Sequence, residues 1–461
     1  MPVPLRLRRL LAAALPAVLA VVFTACTTGS TYPNSVFTRF TEFNRDVGYL
    51  FDILLWLGTI VFVFVEGILL YTIWRYRRRN ENDRPEHVHG NTTLEILWTA
   101  IPALILAFIA VPTVRVIFKT QAKATADALQ VEVIGHQWWW EFKYPQYGIT
   151  TANELYLPVG RKVNFTLKSA DVLHSFWIPQ LGGKRDLITN HPNYLWFTPD
   201  SVGEQAWNGM CAEFCGPSHA NMHFKAFTVT PANFASWAAH QAKPAVFGAV
   251  TPTPAPAGAA PGAPADPQGG APARPSSAPS ASTAGASSAP APGVGTTTTA
   301  APASGGGSTA DAASVQQAGF VAFPRERVPK HVMPSTPLPP GMSSFDESLA
   351  GDAERGRAML TQGIGGCLGC HMVKGNPVMM GVIGPNLTHV GSRATIAGGL
   401  FPNDTKHLSL WIKNSRYMKP GVIMPTLGAF QYDPVTKTTV PKTGLTDQQI
   451  ADIVAYMQAL K

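Results

Sequence analysis

Apolar residues run almost unbroken from Leu50 to Trp74 and again from Leu94 to Phe118, each stretch close to the ~20 residues that a bilayer-spanning helix needs. Together they predict a two-helix transmembrane hairpin over residues 43–119. The pattern then shortens. From Ala126 to Val229 it becomes β-rich runs such as LQVEVIGHQWWWEFKYP, RKVNFTLKSADVLHSFWIP and FKAFTVTPANF, broken by Pro, Gly and Asn, which predicts an all-β sandwich within residues 120–243. Residues 244–345 are dominated by Pro, Ala, Gly, Ser and Thr and read as a disordered linker. A flexible chain of that kind spans on the order of 50 Å. In the last segment, 346–461, LTDQQIADIVAYMQALK sets Ile450, Ile453, Val454, Met457 and Leu460 on one helical face.

Charge adds a topology. Before residue 26 the chain carries Arg6, Arg8 and Arg9, an apolar run and small residues, the pattern of an export signal over 1–25. Phe23-Thr24-Ala25-Cys26 makes Cys26 a candidate for lipidation; an ordinary signal or a retained membrane segment is the competing reading. Arg75, Arg77, Arg78, Arg79 and Arg84 fill the loop between the apolar runs, which places that loop in the cytoplasm and everything after Phe118 outside. Part of the net charge of +8 is therefore topology, and no nucleic-acid partner is implied. Asp52 and Glu66 are acidic residues within the first span, where charge is costly and marks function. Neither span holds histidine, so the hairpin offers no imidazole to a haem or copper.

Candidate chemistry lies further along. WNGMCAEFCGPSHANMHF brings Cys211, Cys215, His219 and Met222 into a dozen residues, with His174 upstream in DVLHSFWIP. One thiolate, two imidazoles and a thioether suit a mononuclear copper centre. A second thiolate lets both sulfurs bridge two copper ions, with one imidazole for each. Zinc in a Cys₂His₂ set is the main competitor, although zinc has no use for Met222, and a Cys211–Cys215 disulfide is the other. Near the C-terminus Cys367-x-x-Cys370-His371 is the attachment signature of c-type haem: two thiols bond to the porphyrin and the adjacent imidazole ligates iron. A thioether as sixth ligand raises the reduction potential, and Met379, Met380, Met418 and Met424 all lie downstream.

From Phe43 to about Phe234, the hairpin, GHQWWW, DVLHSFWIPQLGGK and CAEFCGPSHANM resemble subunit II of the haem-copper cytochrome c oxidases. Ser348 to Lys461 resembles class I cytochrome c, in Gly356 of DAERGRAMLTQG, in GPNLTHVGSR and in KPGVIMP. The expected fold class is therefore multidomain: transmembrane hairpin, cupredoxin-like sandwich, linker and all-α cytochrome c domain.

The resemblance implies a dinuclear CuA centre bridged by Cys211 and Cys215, with His174 and Met222 on one copper and His219 with the Glu213 backbone carbonyl on the other. It implies further that the Glu213 carboxylate reaches a magnesium ion shared with subunit I, and that Trp138 is the aromatic through which electrons enter. Glu95 would stand at the mouth of a proton path into subunit I, while Thr92-Thr93-Leu94-Glu95 also reads as a capping box. Cys367 and Cys370 would hold haem c with His371 and Met424 axial, Pro385 beside His371, and Arg393 near a propionate. Trp139 where many relatives carry Tyr, and His191 where an Arg is common, are departures. The expected partners are oxidase subunits I and III, and a cytochrome bc-type complex or soluble cytochrome c as donor. The expected location is a bacterial cytoplasmic membrane with the cofactor domains on the periplasmic face. A membrane-tethered electron carrier of a different reductase, or a copper-delivery module, is the alternative function.

Overall fold

The computed structural model describes residues 34–78, 80, 89–200, 202–245, 323–324 and 327–461. The export signal with Cys26, Arg79 and Arg84, and most of the linker lie outside the described residues. Both apolar runs are helical, α1 (Glu42–Arg75) and α2 (Thr92–Gln121), and both are long and apolar enough to cross a membrane. Their large side chains point outward, as lipid or a neighbouring subunit requires: Phe62 is 64% and Leu104 70% exposed. Asp46 near the start of α1 pairs with Lys119 near the end of α2 at 2.6 Å, fixing the two antiparallel.

The expected capping box at Thr92 is not formed. Asn91 caps α2 instead, its side chain accepting from the Leu94 N–H at 3.2 Å, because Asn offers a short acceptor one residue earlier. Glu95 therefore falls one residue beyond the capping position, and its carboxylate lies against Gly90. Asp52 is neutralised by Arg39, which donates to both of its oxygens at 2.7 and 3.0 Å.

Helix α1 begins eight residues before its apolar run because its first turn is seated in the sandwich. Thr41 caps it and donates to the Leu181 carbonyl at 2.6 Å, Asn44 donates to the Pro179 carbonyl at 3.1 Å, and Phe43 is buried in the sandwich core.

The sandwich is two five-stranded sheets. One comprises β1 (Leu129–His136), β2 (Trp139–Tyr144), β3 (Ile149–Ala152), β5 (Val163–Ser169) and β8 (Asn193–Phe197), in the order β3-β2-β1-β5-β8. The other comprises β4 (Glu154–Pro158), β6 (His174–Trp177), β7 (Arg185–Leu187), β9 (Gln205–Cys211) and β10 (His223–Val229), in the order β4-β10-β9-β6-β7. Strand β1 shows the period of the pleat directly, buried and half-buried residues alternating along its length. Trp140, Phe142, Phe165, Phe176 and Phe224 fill the space between the sheets, fully buried, each contributing roughly 1.5–3 kcal/mol. The run FKAFTVTPANF is strand only as far as Val229. Thr230 then caps α3 (Pro231–Gln241), with Pro231 in its first turn. Within the stretch read as linker, Phe323, Val328 and Val332 are buried against the sandwich core.

The C-terminal domain packs α4 (Ala353–Thr361) across α6 (Asp447–Ala459), with α5 (Thr405–Met418) beside them. Gly356 permits the crossing, since a Cβ there would fall on the backbone carbonyl of Asp452. Arg355 donates to both oxygens of Asp452 at 2.9 Å on the same face. The residues expected on one face of α6 are buried: Ile450, Ile453, Val454, Met457 and Leu460. Thr446 and Gln449 cap that helix reciprocally.

Candidate metal centres

Pairing of Phe176 with Cys211 puts the end of β9 beside the start of β6, where His174 sits with its ring over Gly135. From Cys211 the chain loops out and returns at Met222, whose carbonyl accepts from the Cys211 N–H at 3.0 Å. Inside that loop the two sulfurs stand 3.8 Å apart and unbonded. His174 Nδ1 lies 3.9 Å from Cys211 Sγ, His219 Nδ1 3.6 Å from Cys215 Sγ, the Glu213 carbonyl 3.2 Å from Cys211 Sγ and Met222 Sδ 3.7 Å from Cys215 Sγ. Among the described residues, His174, Cys211 and Cys215 bring their ligand atoms within 4.8 Å of one another, and His219 is not part of that group. The grouped ligand atoms are thus three of the expected donors. One imidazole stands beside each sulfur, and soft sulfur with imidazole is a donor chemistry that copper accepts.

Electrostatics favour a cation at the two thiols. The neighbouring thiols compete for one proton, so Cys211 is driven well below an ordinary thiol while Cys215, beside it and buried, is driven well above. Both become thiolates together only when a cation shares the site. The sequence reading missed Asp171, whose carboxylate stands 2.7 Å from His174 Nε2 and leaves Nδ1 facing Cys211. Burial opposes the Asp171 charge, but that contact and the N–H groups of Gln137 and Val172 outweigh it and hold its pKa below the usual range. Its signal was the i,i+3 spacing Asp171–His174 in DVLH.

The haem signature borders a cavity of about 260 Å³ lined by Cys367, Cys370, His371, Met424, Trp411 and Trp138. His371 Nδ1 meets the Pro385 carbonyl at 2.8 Å, the tautomer that leaves Nε2 for iron. Gly384 lies against that ring, where a Cβ would come within 2.6 Å. The Met424 loop is tied down by Ser415 Oγ, which donates to the Met424 carbonyl at 2.8 Å. Met379 and Met418 are buried in the core, outside the cavity lining. The donor sets fit copper and haem c.

Trp138 touches both sites. Its indole lines the haem cavity, and Nε1 donates to the Cys215 carbonyl at 2.9 Å, with Gln137 Nε2 donating to the same oxygen at 2.8 Å. The Glu213 carboxylate is exposed and accepts locally from the Phe214 N–H at 3.2 Å. Glu95 stands at the end of α2 remote from the sandwich, and His191 is exposed.

Between α3 and the haem domain, the His240 and His389 rings face each other at 4.8 Å, near Lys243 and Arg393. Burial, then the neighbouring positive charge, lowers both pKa values, that of His389 to about 4. A depressed histidine contributes stability that is complete above its unfolded value of about 6.5 and is lost as pH falls towards the folded one, here on the order of 3 kcal/mol for His389. Thermal unfolding of the full chain is expected to show its midpoint falling between pH 6.5 and 4, and His389→Gln is expected to flatten that slope. An unchanged slope would exclude the pair as its cause.

Fold and donor sets together define a membrane-anchored protein with two cofactor domains, one for copper and one for c-type haem. Family models described as cytochrome c oxidase subunit II, transmembrane domain, the same subunit's periplasmic domain, and cytochrome c match residues 41–116, 148–229 and 353–461. Cytochrome c oxidase subunit 2 of Alkalihalophilus pseudofirmus is 41% identical over 184 residues, 39% of this chain and 53% of that protein, so the chain spans about half the length of such relatives. A probable cytochrome c oxidase subunit 2 of Rickettsia bellii is 31% identical over 218 residues, 43% of this chain and 80% of that protein. Among solved structures, the periplasmic domain of subunit II of cytochrome oxidase from Bradyrhizobium japonicum is 29% identical with a TM-score of 0.25, covering 26% of this chain and 96% of that one. The chain belongs to the cytochrome c oxidase subunit II family and carries a C-terminal cytochrome c domain.

Proposed function

We propose that this chain is the electron-accepting subunit of a haem-copper respiratory oxidase, seated beside subunits I and III in a bacterial cytoplasmic membrane with both cofactor domains on the periplasmic face. The observation that carries the reading is Trp138, a single indole lining the haem cavity and bonded to the carbonyl of Cys215. Cys211 and Cys215 would bridge two copper ions, completed by His174 and Met222 on one and by His219 and the Glu213 carbonyl on the other. Cys367 and Cys370 would carry the porphyrin, with His371 and Met424 on its iron.

When bound, these groups supply the one-electron relay by which a cytochrome bc-type complex or soluble cytochrome c feeds the subunit that reduces oxygen to water with proton pumping. The residues themselves hold the site rigid. Asp171 sets the ring of His174, Pro385 sets that of His371, and the packed aromatics exclude water from the sulfurs. The exposed Glu213 carboxylate is assigned to magnesium at the contact with subunit I, Glu95 to the mouth of a proton path, and Cys26 to a lipid anchor. Metal analysis and visible spectra of the purified full chain are expected to give two coppers and one haem c; one zinc with no copper absorbance overturns the reading.

A further inference from the structure

The haem domain meets the copper domain through two buried charged side chains, one from each. From the haem domain Lys419, 1% exposed, donates to the backbone carbonyl of Trp138 at 2.7 Å and to Ala397 of its own domain at 3.1 Å. From the copper domain Glu154, 3% exposed, accepts from the backbone N–H groups of Ala394 at 2.7 Å and Thr395 at 3.1 Å. Asn386 extends the contact, donating to the Thr150 carbonyl at 3.2 Å. Trp138, 8% exposed, is enclosed between Gly216 of its own domain and Gly421 of the haem domain. Both glycines have positive φ, 111° and 92°, and neither puts a Cβ against the indole.

Burying a charge is costly unless it finds partners. Glu154 takes two backbone donors from the opposite domain, and Lys419 takes one of its acceptors there. Apart, each would be satisfied by water; together, they bond only when the backbone at 138 and at 394–395 is in register. Resting on the functional reading above, we propose that Lys419 and Glu154 are positioning residues of a two-point latch that seats the haem domain over Trp138, so that a separate electron donor reaches the haem and not Trp138.

Hydroxyl-radical footprinting of the full chain, read by mass spectrometry, tests the seating. Trp138 is expected to be protected in the wild type and labelled at least about five-fold faster in Glu154→Gln and in Lys419→Met. Lys419→Arg, which keeps a donor, is expected to restore protection. In the metal-loaded chain, ruthenium(II) hexaammine gives up one electron and becomes ruthenium(III). It is expected to reduce the wild-type copper only as fast as electrons arrive through the haem, and in the two latch variants to add a direct phase. Equal labelling of Trp138 in wild type and variants overturns the latch, as does a direct copper phase already present in the wild type. Because Lys419 also bonds within its own domain, Glu154→Gln decides the question if Lys419→Met does not fold. Footprinting needs no metal, so a chain without copper would defeat the functional reading and leave the labelling result intact.

Discussion

Replacing Cys215 by serine is expected to reduce bound copper from the two ions per chain proposed above to about one, because Cys211, His174, His219 and Met222 remain, the set of one thiolate, two imidazoles and a thioether that suits a single copper. Cys211, His219 Nδ1 and Met222 Sδ all lie within 3.8 Å of the Cys215 sulfur. Its loss leaves a single thiolate, so the paired centre is expected to be lost while one copper is retained. Metal analysis and the visible spectrum read the result directly, with haem absorbance unchanged as the internal control. Retention of two coppers would show that this sulfur is not a bridge.

Met424→His is expected to lower the haem reduction potential by on the order of 0.3 V, since exchanging thioether for imidazole removes the ligand that raises it. At 59 mV per tenfold for one electron, that is a shift of about 10⁵ in equilibrium. The altered haem would still reduce copper readily but would accept electrons poorly, so the block falls between external donor and haem. Redox titration of the full chain separates this from the neighbouring methionines. Met418→Leu and Met379→Leu, in the core rather than on the cavity lining, are expected to leave the potential in place. An unmoved potential in Met424→His would remove Met424 from the iron.

What could be read from the sequence was local. The hairpin was visible because lipid demands unbroken apolar runs. The sulfur cluster was visible because three of its donor side chains fall between Cys211 and His219. Contacts across long sequence separations were not. Glu154 meets Ala394 across 240 positions and Lys419 meets Trp138 across 281, and nothing near either residue announces its partner. Thr92 and Asn91 are both good caps, and only the backbone path selects between them. In FKAFTVTPANF the β pattern stops at Val229, where the strand ends, and Thr230-Pro231 carries the signal for the helix that follows.

The seating of α1 has a mechanical consequence. Beyond Thr41 and Asn44, Glu42 accepts from the Thr198 N–H at 2.8 Å and Arg45 pairs with Asp200 at 2.6 Å, so the first helical turn is fastened at several points around the base of the sandwich. Helix and sandwich must tilt together, as a post and its foot would. The height of the sulfur pair above the lipid is thereby fixed by the helix, and any swing in the molecule has to be taken up elsewhere.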